Sequence, residues 1–273
     1  MSDADAGRQP PSPSCPEYDR FAEFYDHITP YRLREDVGFY VDLAMSARGP
    51  VLEMACGTGR VLIPSAREGA TMVGVDLSEG MLAACRAKLA EESVAVQRRV
   101  GLQQGDMRSF DLGRTFEVIT IPFRGFQHLL TVDDQRTALQ RLRAHLADGG
   151  RLVVDVFNPS LPFLGDERWL VNPLVEPEFS MPDGRRIVRS FRITARDYAN
   201  QVQGMAMAYD ITWPDGRTEH REDAFSLRYL FRYEAEHLLE REGFHVEAVY
   251  GDYDKSPFGT KYPGEIILVG RKR

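Results

Sequence analysis

The 273-residue chain is short of cysteine and of lysine: it has three cysteines (Cys15, Cys56, Cys85), and only four of its 34 basic residues are lysine (Lys88, Lys255, Lys261, Lys272). An odd, sparse set of cysteines without metal-ligand spacing excludes a disulfide framework and a thiolate metal site. A reduced, cytoplasmic protein is therefore expected. No uncharged apolar run approaches the ~18–20 residues of a membrane span. The opening MSDADAGRQPPSPSCP has neither the basic region nor the apolar region of a secretory signal. An excess of positive charge is missing too. The formal net charge is -7, which argues against a nucleic-acid binder with its basic face. The arginine that stands in for lysine suits carboxylate or phosphate recognition; a GC-rich coding background gives the same bias.

What is present is the balance of a soluble globular protein, 43% hydrophobic and 27% charged, long enough for one large domain or one and a half. Residues 1–16, rich in Pro, Ser and Asp, read as a flexible tail. Between residues 18 and 47 aromatic and aliphatic residues recur at helical spacing, with Pro30 separating two N-terminal helices. Short apolar runs then alternate with helical patterns: strands at 50–55, 71–75, 101–104, 116–122 and 151–157, helices at 78–92 and 133–147, the latter ended by Asp148-Gly149-Gly150. This alternation predicts an α/β fold with a mostly parallel sheet. From 185 to 230 the pattern changes to three antiparallel strands, the second and third joined by a turn at Pro214-Asp215-Gly216. A helix at 233–242 and strands at 245–250 and 265–270 close the chain. The expected division is a ligand-binding domain at 17–164 and 231–273, with an antiparallel insertion at 165–230.

The most informative stretch is Val51-Leu52-Glu53-Met54-Ala55-Cys56-Gly57-Thr58-Gly59-Arg60, a strand running into a glycine-rich turn before a helix. Glycines there let backbone approach a ligand closely. Asp76 ends the next strand, 19 positions after Gly57, where an acid can accept both ribose hydroxyls of an adenosine. A dinucleotide would fit that much. It would also need a third glycine where Leu62 stands, and Glu53 would face its pyrophosphate with negative charge. A ligand with a neutral or cationic tail suits the loop better.

These residues resemble the first motif of the class I S-adenosylmethionine-dependent methyltransferases. Further stretches follow in the family's order: Gly74-Val75-Asp76-Leu77-Ser78-Glu79-Gly80-Met81-Leu82, Gln104-Gly105-Asp106-Met107, and Leu146-Ala147-Asp148-Gly149-Gly150-Arg151-Leu152. The resemblance implies a Rossmann-like, doubly wound, mostly parallel seven-stranded sheet. Its N-terminal helices and small antiparallel insertion resemble those of small-molecule N-methyltransferases acting on amino sugars and other natural products. It implies S-adenosylmethionine as cofactor. Glu53, Ala55, Cys56, Gly57, Gly59 and Arg60 would surround its amino-acid end, Asp76, Leu77 and Met81 the ribose and adenine, and Asp106 and Met107 the adenine. Ile121 and Pro122 would approach the methionine portion, and Tyr25 its carboxylate.

Methyl transfer is an in-line displacement that chiefly needs alignment and exclusion of water. The loop after the fourth strand, Phe123-Arg124-Gly125-Phe126-Gln127-His128, falls at the carboxyl edge of the sheet where ligands bind. His128 is the candidate general base; Phe123 and Arg124 are candidate substrate contacts. The insertion and its flank add Tyr209, Arg228, Tyr229 and Tyr250 as candidate pocket residues. The expected activity is methylation of N or O on a small natural-product or amino-sugar-like acceptor. No metal, nucleic acid or membrane takes part, and a homodimer is allowed. The rivals are another adenosylmethionine-dependent reaction on the same fold and a catalytically silent, cofactor-binding partner subunit.

Overall fold

The computed structural model describes residues 16–273; the tail expected at 1–16 falls, save for Pro16, outside the described residues. The chain opens with helices α1 (Pro16–Tyr25), α2 (Thr29–Arg32) and α3 (Val37–Met45). Pro30 stands in the first turn of α2, where its missing N–H costs nothing, so it starts a helix where a break alone was expected. Strand β1 (Val51–Met54) is buried along its whole length, as a central parallel strand covered on both faces must be. It is followed by α4 (Leu62–Glu68), β2 (Met72–Asp76), α5 (Glu79–Ala90), α6 (Val94–Gln97), β3 (Val100–Gln104), β4 (Phe116–Ile121), α7 (Val132–Ala144) and β5 (Leu146–Phe157).

Helix α7 ends at Ala144, earlier than its pattern suggested, because Leu146 already pairs with Phe116 of β4. The Asp148-Gly149-Gly150 stretch is a bulge within β5. Gly149 has φ +69, and a Cβ on Gly150 would lie 2.9 Å from the Ala147 carbonyl oxygen.

Helices α8 (Leu161–Gly165) and α9 (Arg168–Val171) lead to strands β6 (Leu174–Val175), β7 (Phe179–Ser180), β8 (Arg186–Asp197), β9 (Val202–Thr212) and β10 (Thr218–Arg228). The three long strands are those the sequence predicts. The two-residue strands β6 and β7, which add to β8, are too short to leave a periodicity. Helix α10 (Arg232–Arg241) and strands β11 (Phe244–Tyr250) and β12 (Glu265–Lys272) complete the chain.

The first sheet has seven strands in the order β11-β12-β5-β4-β1-β2-β3. Strands β3, β2, β1, β4 and β5 are parallel, β12 is antiparallel to β5, and β11 to β12. From β1 the chain moves outward to β2 on one side and later returns to β4 on the other. The reversal opens a crevice at the carboxyl ends of β1 and β4, where open α/β sheets bind ligands.

Helix α1 roofs that crevice. Phe21 and Phe24 pack on Tyr209 and Ile211 of the antiparallel sheet. Asp19 accepts from the Ser78 hydroxyl at 2.6 Å and the Gly80 N–H at 2.8 Å, at the start of α5. One ten-residue helix thus joins the two sheets across the ligand edge.

Candidate active site

The loop after β1 is shaped by its left-handed residues. Ala55, Gly57 and Gly59 have φ of 58, 54 and 78. At Gly59 a Cβ would lie 2.6 Å from the Cys85 sulfur, whereas at Gly57 it would meet nothing within 4 Å. Gly59 therefore lets the loop sit on α5, and Gly57 leaves its upper face open. The Gly57 N–H donates to Asp76 Oδ2 at 2.7 Å, and the Ser78 N–H to Oδ1 at 2.8 Å. Burial raises the Asp76 pKa against those donors. The loop is tied to the end of α1 by the Thr58 hydroxyl, which donates to Asp26 at 2.7 Å.

A cavity of about 400 Å³ opens above this loop, within the range of small-molecule sites. Tyr25, Ala55, Gly57, Asp76, Leu77 and Met81 line it, as do Asp106, Met107, Pro122, Phe123 and His128. These expected residues, from six segments of the chain, meet at one place. Asp106 is held by Arg108 at 2.6 Å, and Arg108 also reaches Asp134 at 2.9 Å. The hydrogen bond from Arg108 keeps the Asp106 carboxyl below its usual range.

Other expected contacts lie behind the wall. Cys56 and Ile121 are buried in the packing beneath the cavity, and Gly59 rests on Cys85. Arg60 is gripped by Asp36 at two distances of 2.6 Å, with its guanidinium 5.2 Å from the Phe123 ring centre. Burial opposes the Asp36 charge, but Arg60 and Arg34 outweigh it and hold the carboxyl low.

Glu53 needs a correction to the charge argument made from the sequence. Only 2% exposed, it is not among the residues that line the cavity, and its Oε2 has no hydrogen-bond partner. Burial pushes its pKa up to about 8, against the pull of Arg60. At neutral pH it carries its proton, so it does not present the negative charge invoked against a pyrophosphate.

His128 ends a 3₁₀ turn, Gly125–His128, reached through two consecutive left-handed residues, Phe123 (φ 51) and Arg124 (φ 69). Such strain persists only where surroundings enforce it. Here the Phe123 N–H donates to buried Asp155 at 3.2 Å. Gln127 also locks the turn, accepting from the Phe157 N–H at 2.7 Å and donating to the Arg228 carbonyl at 3.1 Å. His128 Nε2 lies 3.1 Å from the Tyr18 hydroxyl, with the Phe225 ring centre 5.7 Å from its own. Burial brings its pKa down to about 4, opposed by the Glu17 carboxylate, so the imidazole is neutral at physiological pH.

The candidate substrate residues divide. Phe123 lines the main cavity. Tyr209 lines a contiguous recess of about 20 Å³ while stacking on Phe21 at 4.3 Å. Arg124 turns outward to Glu265 at 3.5 Å and lies over Phe157. Arg228 is buried against Glu234 at 3.3 Å, and Tyr229 is buried beside Phe231. Tyr250 packs against Phe39. These last four are not brought to the cavity; they hold elements together. The sequence reading missed Glu17 and Tyr18 at the start of α1, Arg108 and Asp134, and Phe225 and Ser226 on β10, all of which line the cavity. Helix starts and strand faces are set by long-range packing, and no local motif marks them.

Residues 51–150 match the family described as "Methyltransferase domain". The dTDP-3-amino-3,6-dideoxy-alpha-D-glucopyranose N,N-dimethyltransferase of Streptomyces fradiae is 27% identical over 249 residues, 89% of this chain and 91% of its own. Among solved structures, the CcbJ methyltransferase from Streptomyces caelestis superposes with a TM-score of 0.73 at 24% identity, covering 94% of this chain and 97% of that one. The glycopeptide N-methyltransferase MtfA, complexed with S-adenosyl-L-methionine, gives 0.55 at 26% identity over 88% and 96%.

Proposed function

We propose that this S-adenosylmethionine-dependent methyltransferase moves a methyl group to the amine nitrogen of an amino-sugar-like small molecule. The observation that carries the reading is the convergence of Glu17, Tyr18 and His128 on the cavity that also holds Gly57, Asp76 and Asp106. One end of that cavity suits an adenosine and the other an amine.

The chain's residues fit the cofactor. The open face at Gly57 would cradle its amino-acid end, Asp76 would accept from ribose hydroxyls, and Asp106 and Met107 would hold the adenine end. Bound there, S-adenosylmethionine supplies an electrophilic methyl on a sulfonium. Tyr25, Phe123 and the roof of α1 exclude water and fix the acceptor, which is where most of the rate arises.

The acceptor reacts as the neutral amine, and its nitrogen gains the methyl and a positive charge before the surplus proton leaves to solvent. An imidazole with a pKa near 4 is a much weaker base than an alkylamine. His128 therefore orients the amine by accepting its N–H, while Glu17 favours the charge that develops on nitrogen. The net charge of -7 supports a small-molecule acceptor over a nucleic acid. The unpaired thiols of Cys56 and Cys85 agree with a reducing cytoplasmic setting.

Calorimetric titration with S-adenosylmethionine and S-adenosylhomocysteine tests the cofactor half; Asp76→Ala should weaken binding on the order of 100-fold, by loss of a charge-assisted contact and of the loop's anchor. Labelled-methyl transfer to a panel of amines, phenols and amino sugars tests the acceptor half. Turnover of phenols alone would refute the amine assignment, and binding without any turnover would favour a silent partner subunit.

A further inference from the structure

Arg108 lines the cavity with its side chain 45% exposed, yet its donors are spent on protein. Its backbone N–H donates to Asp106 Oδ1 at 2.8 Å. Its Nε is shared between Oδ1 at 3.0 Å and Oδ2 at 3.2 Å, and its Nη2 donates to Oδ2 at 2.6 Å. On the other side of the guanidinium, Nη1 donates to Asp134 Oδ1 at 2.9 Å.

Both acids are fixed from behind as well. The Asp106 carbonyl accepts from the N–H groups of Ser109 at 3.0 Å and Phe110 at 2.8 Å, and Phe110 is buried. Asp134 Oδ2 accepts at 2.8 Å from the hydroxyl of Thr131, the residue that caps α7. Arg108 therefore ties the loop after β3 to the start of α7, at the end of the cavity walled by Gly105, Asp106 and Met107. Exposed ion pairs add little to stability. A planar fork fixed at both ends does something else: it sets the orientation of the carboxylate it grips. A carboxylate has about four acceptor sites. The three N–H groups of Arg108 take about three of them on Asp106, which leaves about one, on Oδ2, for a donor from the cavity.

We infer that Arg108 is a positioning residue for the cofactor: anchored on Asp134, it turns Asp106 so that the remaining acceptor site receives the 6-amino group of adenine. Arg108 and Asp134 thereby sharpen the preference for a 6-aminopurine. The inference rests on the cofactor reading in which Asp106 holds the adenine end. A lysine at 108 would bring the same charge without the fork, and could not grip both acids at once.

The test titrates S-adenosylhomocysteine, and its analogue with hydrogen in place of the adenine 6-amino group, into the parent and three variants by calorimetry. The parent should prefer the amino form by about tenfold or more, the worth of one hydrogen bond to a charged group. Loss of the oriented site should cut that preference about fivefold in Arg108→Gln, and Arg108→Lys should not restore it. Asp134→Asn, which loosens only the far end, should cut it about threefold. The ligand-free Tm of each variant should move by no more than about 4 °C, as for an exposed ion pair. A merely structural role would weaken both ligands equally, so a preference unchanged in Arg108→Gln and Asp134→Asn would overturn the inference. Full recovery in Arg108→Lys would do the same, because charge alone would then suffice. A parent that binds neither ligand would overturn the cofactor reading itself, a result distinct from unchanged ratios.

Discussion

Replacing Glu53 with glutamine should make the protein's stability less sensitive to alkali, by an amount the structure sets. Glu53 lies on the central strand between Gly74 and Thr120 of its neighbours and is buried, one carboxyl oxygen lacks a partner, and burial raises its pKa from 4.5 to about 8. Between those values the unfolded chain has released a proton that the folded chain retains. Folding therefore takes up a proton across this window, and stability falls as pH rises from about 4.5 to about 8. At about 1.4 kcal/mol per pH unit, the penalty grows from under ~1 kcal/mol at pH 5 to roughly 4 kcal/mol at pH 8. Glu53→Gln keeps the shape and removes the titration. The amide carries its own cost for a buried N–H, but that cost is the same at every pH.

The measured quantity is the difference in Tm between variant and parent, recorded by calorimetry without ligand at several pH values from 5 to 8. That difference should rise with pH by roughly 10 °C, at about 2–4 °C per kcal/mol for a chain of this size. His128 titrates with the opposite sign. Its depressed pKa of about 4 means that stability is lost as pH falls from about 6.5 toward 4, and this slope cancels in the difference because both proteins contain His128. A Tm difference that stays flat from pH 5 to 8 would mean that Glu53 is ionised in the folded protein and that the burial argument is wrong.

Gly59→Ala should destabilise by about 2–4 kcal/mol, from the left-handed backbone and from a Cβ placed 2.6 Å from the Cys85 sulfur. In a Cys85→Ala background only the steric part should be recovered, as read by urea denaturation. His128→Asn should lower kcat about tenfold or less, the worth of one orienting hydrogen bond, instead of the ~10²–10⁴-fold of a lost general base. The parent's pH–rate profile should show no inflection between pH 6 and 7. Gln127→Ala should cost about 2–4 kcal/mol, because the Phe157 N–H and the Arg228 carbonyl both lose a buried partner. A fall in Tm below 3 °C would show that these groups find water instead.

The parts of the site legible in the sequence are those built by short stretches of backbone. The run from Glu53 to Arg60 announces a turn because left-handed φ demands glycine and close packing excludes side chains. Asp76 announces itself by closing an otherwise apolar strand, and Asp106 by the Gln104-Gly105-Asp106-Met107 stretch that follows β3. The roof was not legible in the same way. Glu17 and Tyr18 enter the cavity only because Phe21 and Phe24 dock on a sheet formed some 190 residues later, and nothing within α1 records that. On β9 and β10, alternation separates two faces without saying which one meets α1. Tyr209 and Phe225 therefore end beneath the helix, while Arg228 and Tyr229 turn to the α10 side and the core.

The arginine excess acquires a physical reason from the same long-range packing. Phe123 and Arg124 must hold left-handed backbone at the edge of the cavity, and the groups that enforce this are charged and buried. Asp155 takes the Phe123 N–H and also contacts Arg34, Tyr40 and Tyr253. Arg34 in turn reaches Asp36 at 3.0 Å and Glu265 at 3.1 Å, and Asp36 closes the circuit on Arg60. A single guanidinium here bridges carboxylates from α3, β5 and their surroundings with several fixed donors. A lysine offers one compact charge on a flexible stem and could satisfy one partner at a time. Burial makes the difference matter, since each carboxylate left unpaired in this layer would cost far more than at the surface. The arginines that read from the sequence as anion-binding candidates thus work mostly inward: they neutralise the chain's own acids and hold rigid the floor and roof between which donor and acceptor must be aligned.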